Sequence, residues 1–168
     1  MKINFITGLR GERILEINDA AITHINFSGA ATRYNTEGNR NFSLIIDDEE
    51  IKDALINDVN EYGVGWKVKS KPPRDEDDAP FTYMPVKVKF NARGPKIYLI
   101  SGNNVIELDE DTVDCLDDIE IEKIDLDIRA YDDEWNGRAF RSAYLHSMEV
   151  TQRIDRFKLR HSERFGEE

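Results

Sequence analysis

Cysteine is almost absent from this sequence: Cys115 is the only one in 168 residues. No intrachain disulfide can form, and such sparing use fits a reducing compartment. Histidine is nearly as scarce. His24, His146 and His161 are scattered and have no partners at metal-ligand spacing. Cys115 stands among Asp114, Asp117 and Asp118, charges that raise a thiol pKa, so it reads as a small buried hydrophobe. The run Asp109-Glu110-Asp111 lacks the glycine and terminal glutamate of a calcium loop. GxxxxGK[ST], GxGxxG after a strand, HExxH, GxSxG and CxxC are all missing. The expectation is a protein that is not an enzyme and needs no metal or other cofactor. No window approaches the roughly 20 apolar residues of a spanning helix. The start, Met1–Arg13, lacks the apolar stretch and cleavage site of a secretory leader. A cytoplasmic protein is expected.

What is abundant is charge. Charged residues make up 34% and hydrophobic ones 39%, with a net charge of −11 and a pI near 4.8. Taken alone, that balance argues against a nucleic-acid partner. The average hides a segregation. Residues 63–100 carry eight basic side chains against four acidic ones, the single run Asp75-Glu76-Asp77-Asp78. Residues 107–134 carry fourteen acidic side chains against Lys123 and Arg129, and residues 47–62 seven against Lys52. Either the acidic stretches are solvated faces, or the molecule is dipolar, with one cationic groove and an acidic remainder.

The length suits one domain, residues 1–168, with a core over about 22–151, an N-terminal extension over 1–21 and a C-terminal helix or tail over 152–168. Ile22–Phe27 and Asn41–Ile46 read as strands joined by a loop, Ser28–Gly38, with Tyr34 at its centre. Asp47 or Asp48 can cap a helix running to about Asn57. Trp66–Lys69 resumes an extended pattern. Lys71–Pro80 holds three of the five prolines and reads as a mobile, protease-sensitive surface excursion. Phe81–Phe90 alternates, with Val86, Val88 and Phe90 on one face and Lys87 and Lys89 on the other. Lys96–Ser101 is the next strand, and Asp109–Leu116 a short acidic helix. Ile119–Tyr131 slips phase near Glu122–Ile124, as a β-bulge would cause. Asn136-Gly137 is a hairpin turn leading into Phe140–Thr151. The expected fold class is mainly β: a partly open, five- to seven-stranded antiparallel barrel of the oligonucleotide-binding (OB) kind, with small helices and hairpin insertions.

Aromatic side chains interleave with cations along this chain. The residues concerned are Arg33, Tyr34 and Arg40; Trp66, Lys67, Lys69 and Lys71; Tyr83, Lys87 and Lys89; Lys96 and Tyr98; Arg129, Trp135, Arg138 and Arg141. Cations track a phosphate backbone and release counterions, while rings stack on bases without regard to sequence. Core packing is the competing explanation for each ring. It is favoured for Phe27, Phe90 and Phe140, and is evenly balanced against an exposed role for Tyr34, Trp66 and Trp135.

Three stretches resemble a known family: FSGAATRYNTEGNRNF (Phe27–Phe42), KFNARGPKIYLIS (Lys89–Ser101) and LDIRAYDDEWNGRAFRSAYLHSMEV (Leu126–Val150). The resemblance is to phage and prophage single-stranded DNA-binding proteins of OB fold. It implies coating and protecting single strands in phage DNA replication and recombination. It also implies replication or recombination enzymes of phage or host as partners, and permits a homo-oligomer. Members often end in an acidic recruiting tail; here Ser162–Glu168 is weakly acidic and contains Arg164. A β-rich virion-structural or protein-interaction module and an acidic DNA mimic are the competing readings.

Overall fold

The computed structural model describes residues 1–73, 75–77 and 80–154. The expected C-terminal helix or tail lies outside them from 155 onward, as do parts of the Lys71–Pro80 excursion. The protein is mainly β, an open mixed sheet with one α-helix among the described residues. Among the described residues ten strands make one sheet, more than the sequence suggests. The additions are a hairpin of β1 (Lys2–Thr7) and β2 (Arg13–Asn18) and a strand after the Gly102 turn. Residues 1–21 are therefore part of the sheet rather than an extension from it: Leu15 and Ile17 are buried, and β2 pairs with a central strand. Each of these strands is short, and Gly8 and Gly11 interrupt the alternation that would reveal them.

β3 (Ile22–Asn26) and β4 (Arg40–Ile45) flank the long polar loop. Helix α1 (Glu49–Asn57) follows, and its Asp48 cap accepts the Glu50 amide at 2.8 Å. Trp66 follows closely, and its amide donates to the Leu55 carbonyl at 3.1 Å. Gly65 permits that approach, since a Cβ there would fall on the Ile56 carbonyl oxygen. The next strands are β5 (Lys69–Lys71), β6 (Phe81–Val88), β7 (Lys96–Ser101) and β8 (Asn104–Leu108). A 3₁₀ turn at Val113–Asp117 stands where an acidic helix is expected. The long hairpin of β9 (Ile121–Trp135) and β10 (Arg138–Gln152) closes the order.

Two features of this hairpin follow the sequence closely. Asn136 and Gly137 both adopt positive φ, 52° and 77°, as a type I′ turn requires. Thr151 pairs with Lys123 but Gln152 with Ile121, so Glu122 is the bulged residue. The antiparallel expectation is corrected. β10 runs parallel to β6 at Tyr144–Lys87 and parallel to β7 over Ser147–Thr151. The turn between β6 and β7, tied by the Asn91 amide to the Gly94 carbonyl at 2.8 Å, is a sidestep rather than a reversal. Both strands therefore travel along the same edge of β10. Along the central path the order is β1-β2-β9-β10-β6-β4-β3.

Even-numbered residues of β6 and of the middle of β4 and β9 turn inward and are buried, including Phe42, Leu44, Met84, Val86, Leu126 and Ile128. At one end of this core sits a charge cluster. The side chain of Arg141 is 3% exposed, and its guanidinium meets Asp132 at 2.7 Å and Asp58 at 3.4 Å. Arg141 also donates to the Asp58 carbonyl at 2.7 Å and lies over the Trp66 ring. Asp58 further accepts Arg13 at 2.7 Å and the Trp66 indole at 2.9 Å. One cluster thus joins the first hairpin, the end of α1 and the long hairpin. Burial works to raise the pKa of Asp58. The hydrogen bonds from Arg13 and Trp66 and the charges of Arg13 and Arg141 outweigh it and hold the carboxyl below 3.8. Asp132 is lowered likewise, burial being outweighed by Arg141.

Removing one partner from a buried pair costs about 3–5 kcal/mol, so Arg141→Met should lose roughly that amount in denaturant unfolding. Depressed carboxyl pKa values stabilise the fold above the ordinary value of 3.8 and lose that contribution as pH falls through the lowered ones. Wild type should therefore show an acid loss of stability that is smaller in Arg141→Met. Equal acid limbs in the two proteins would refute the role given to the cluster.

Candidate nucleic-acid interface

The odd-numbered residues of β6 and β9 and the even-numbered ones of the first half of β10 face outward, opposite the core. Register sets them in a row. Asn41 of β4 pairs with Lys87 of β6, Lys87 with Tyr144 of β10, Tyr144 with Arg129 of β9, and Arg129 with Ile14 of β2. The Lys87 ammonium lies 5.7 Å and the Arg129 guanidinium 5.3 Å from the centre of the Tyr144 ring. Each such contact contributes only about 0.5–1 kcal/mol at a solvated site. Neither cation has a carboxylate partner among the described residues. Two like charges held to one ring without a counter-anion form a site that an anion relieves.

The face continues along β6. Lys69 pairs with Tyr83 and Lys71 with Phe81, so both lysines share the side of the two rings. Phe81 and Tyr83 stack at 5.3 Å with an 18° tilt, and the Lys71 ammonium lies 5.5 Å from Tyr83. Beyond Asn41 lies the Tyr34 loop. The Asn41 side chain donates to Asn35 at 3.0 Å, and Asp117 accepts the Phe27 and Ser28 amides at 2.8 and 2.9 Å. The loop is thus anchored at both ends, with Tyr34 89% exposed and Arg33 5.7 Å from its ring.

At the Arg129 end the row opens into a cleft of about 1410 Å³, bounded by the Thr7–Arg13 turn, residues 58–61 and the Lys89–Pro95 turn. Arg10, Lys89, Arg93 and Arg129 line it and have no ion pair among the described residues.

The remaining sequence candidates lie elsewhere. Trp66 is 3% exposed and belongs to the core, and Arg141, at 5%, is committed to the charge cluster. Arg40 donates to the Phe27 carbonyl at 3.0 Å and pairs with Glu110. Lys96 pairs with Glu107 at 3.3 Å. Tyr98 sits in register between Glu107 and Glu149. Lys67 is exposed but precedes β5. Trp135, 73% exposed, and Arg138 lie at the tip of an arm that also carries Asp133 and Glu134. Tyr131 donates to Asp133 at 2.9 Å, and that bond raises its pKa above the usual phenol value. The arm is acidic where the row is basic.

Tyr144, Arg93 and Arg10 escaped the sequence reading. Tyr144 was accessible to it: pairing outward from Asn136-Gly137 sets Trp135 against Arg138 and, six steps later, Arg129 against Tyr144. Arg93 and Arg10 stand on isolated turns, and only the tertiary fold brings them together. Among the described residues, no group of three or more His, Cys, Asp or Glu is placed to hold a metal ion. No helix there is long and apolar enough to cross a membrane.

A family model described as "Putative phage ssDNA-binding domain" matches residues 9–164. No curated protein matches the chain. Among solved structures, the single-stranded DNA-binding protein from bacteriophage Enc34 in complex with ssDNA is similar at a TM-score of 0.49 and 12% identity, covering 92% of this chain and 97% of that one. The C-terminally truncated form of the Enc34 protein gives 0.48 and 12% over the same shares. A further structure of the Enc34 protein gives 0.47 and 10%, over 92% of each chain.

The placement of the two tryptophans is directly measurable. Trp135→Phe should leave a blue-shifted emission from Trp66 that acrylamide quenches poorly, while Trp66→Phe should leave a red-shifted, readily quenched emission. Equal quenching of the two variants would contradict the buried and exposed positions assigned here.

Proposed function

Because the chain belongs to the phage ssDNA-binding domain family, we propose that it coats and protects single strands during phage DNA replication and recombination. It does so without catalysis, in the host cytoplasm. The observation that carries the reading is the row Lys87–Tyr144–Arg129: two cations, unpaired among the described residues, on one outward ring, contributed by three adjacent strands. A ring accepts any base face, and flanking cations accept the phosphates on either side. In this reading the strand continues along β6 over Tyr83, Lys69 and Lys71. Toward the other end it enters the cleft of Arg93 and Lys89. Tyr34 and Arg33 rim the far side of the row. The Trp135 arm is left out, because Asp133 and Glu134 repel phosphate there.

The net charge of −11 is compatible with this, because binding responds to the local field within a Debye length of about 8–10 Å rather than to the total. Acid on the β2 side sets one border: Asp127 lies beside Glu16, and burial first, then Glu16, raises its pKa.

Binding of a labelled oligonucleotide should weaken with salt. If about three to five phosphates are neutralised, the log–log slope should be roughly −2 to −4, at about −0.7 per phosphate. Reversing Lys69, Lys87 and Arg129 together should flatten the slope and weaken binding across all sequences. Tyr144→Ala should cost about 1–3 kcal/mol of affinity. Equal affinity of wild type for duplex and single strand would refute recognition by stacking. A folded triple variant that binds normally would place the interface elsewhere.

A further inference from the structure

The turn between β1 and β2 presents an apolar side chain for which the fold has no use. Leu9 is 107% exposed, and Arg10 beside it has no ion pair among the described residues. The turn is nonetheless firmly built. The Gly8 amide donates to the Glu12 carbonyl at 2.7 Å, and the Gly11 amide to the Gly8 carbonyl at 3.0 Å. The Arg10 amide donates to the Glu12 carboxylate at 2.9 Å. Gly11 holds a φ of 81°, and a Cβ on Gly8 would collide with the Glu12 side chain. Glu12 is thereby spent on the backbone of the turn, leaving the Arg10 guanidinium without a carboxylate among the described residues. Leu9 and Arg10 both line the cleft, together with Lys89, Arg93 and Arg129; of its carboxylates, Asp58 and Asp132 are bonded to Arg13 and Arg141 and Glu12 to the turn, while Glu61 also lines it.

We infer that this turn is a clamp on the bound strand: Arg10 meets a phosphate, and Leu9 presses on the face of a base across the cleft from the Lys89–Pro95 turn. The inference rests on the interface reading above and names the element that closes it. Leucine is among the apolar side chains that proteins insert against base faces in kinked duplexes, and an unstacked base of a single strand offers the same apolar face. A rigid turn presents them with little ordering cost on binding. The clamp also explains why β1, all of which precedes the family match at residue 9, is held in the sheet: it fixes the turn over the cleft. The two residues divide the work. Arg10 contributes a salt-dependent contact and Leu9 a salt-independent one.

Fluorescence anisotropy with a labelled oligothymidylate tests this on the full chain. Leu9→Ser should weaken binding roughly tenfold, equivalent to about 1.4 kcal/mol, with an unchanged melting temperature and salt slope. Arg10→Gln should make the log–log salt slope shallower by about 0.7, one phosphate contact. Saturating oligothymidylate should also slow tryptic cleavage after Arg10 in the wild type, a readout that needs no variant. If wild type binds while both variants keep its affinity and slope and Arg10 stays equally open to trypsin, the clamp is overturned and the interface stands. A wild type that binds no oligothymidylate overturns the interface and the clamp with it.

Discussion

The outward face of this protein depends on one edge of one strand being shared. β10 gives one edge to β9 for nearly its whole length and divides the other between β6 and β7, both parallel to it. Because the turn after β6 sidesteps, Lys87 stops beside Tyr144 while β7 takes over three residues further on. Without that division Lys87 and Arg129 would not flank the same ring. The register shift between Leu145 and Ser147 lies at the handover, where β10 leaves one parallel partner for the other. His146, the residue passed over, lines the cleft.

Charge is arranged on the same frame. Inside, Arg141 and Arg13 are matched against Asp58 and Asp132, and the Trp66 indole donates to Asp58, so a tightly hydrogen-bonded cluster locks three parts of the chain together. Outside, the row and the cleft hold cations without partners among the described residues, while carboxylates collect on the Trp135 arm and beside β8. An acidic molecule can therefore present one basic strip. Its excess negative charge discourages contact with phosphate anywhere else.

Much of this was legible in the sequence. The Asn136-Gly137 turn, the bulge at Glu122, the Asp48 cap and the alternation of β6 each rest on local rules, and each appears where those rules put it. The family resemblance drawn from three stretches agrees with the family match over residues 9–164. Local rules failed where neighbours in space decide. Trp66 and Arg141 look the same in sequence as exposed aromatic and cationic residues, and only the tertiary contacts of Trp66 with Leu55 and of Arg141 with Asp58 and the Trp66 ring bury them. β1, β2 and β8 are short strands whose apolar residues count only once the sheet is assembled. The parallel pairing of β6 with β10 involves residues far apart in sequence, and no turn signal announces it.

The most direct test of the account maps where a strand lies on the unmodified protein. Photo-crosslinking with oligonucleotides carrying 5-iododeoxyuridine, followed by peptide mass spectrometry, reports the rings in contact with bases. The account predicts adducts on Tyr144, with Tyr83 as a second site along β6. Adducts confined to Trp135 or to Tyr98 on β7, with Tyr144 unmodified, would contradict it.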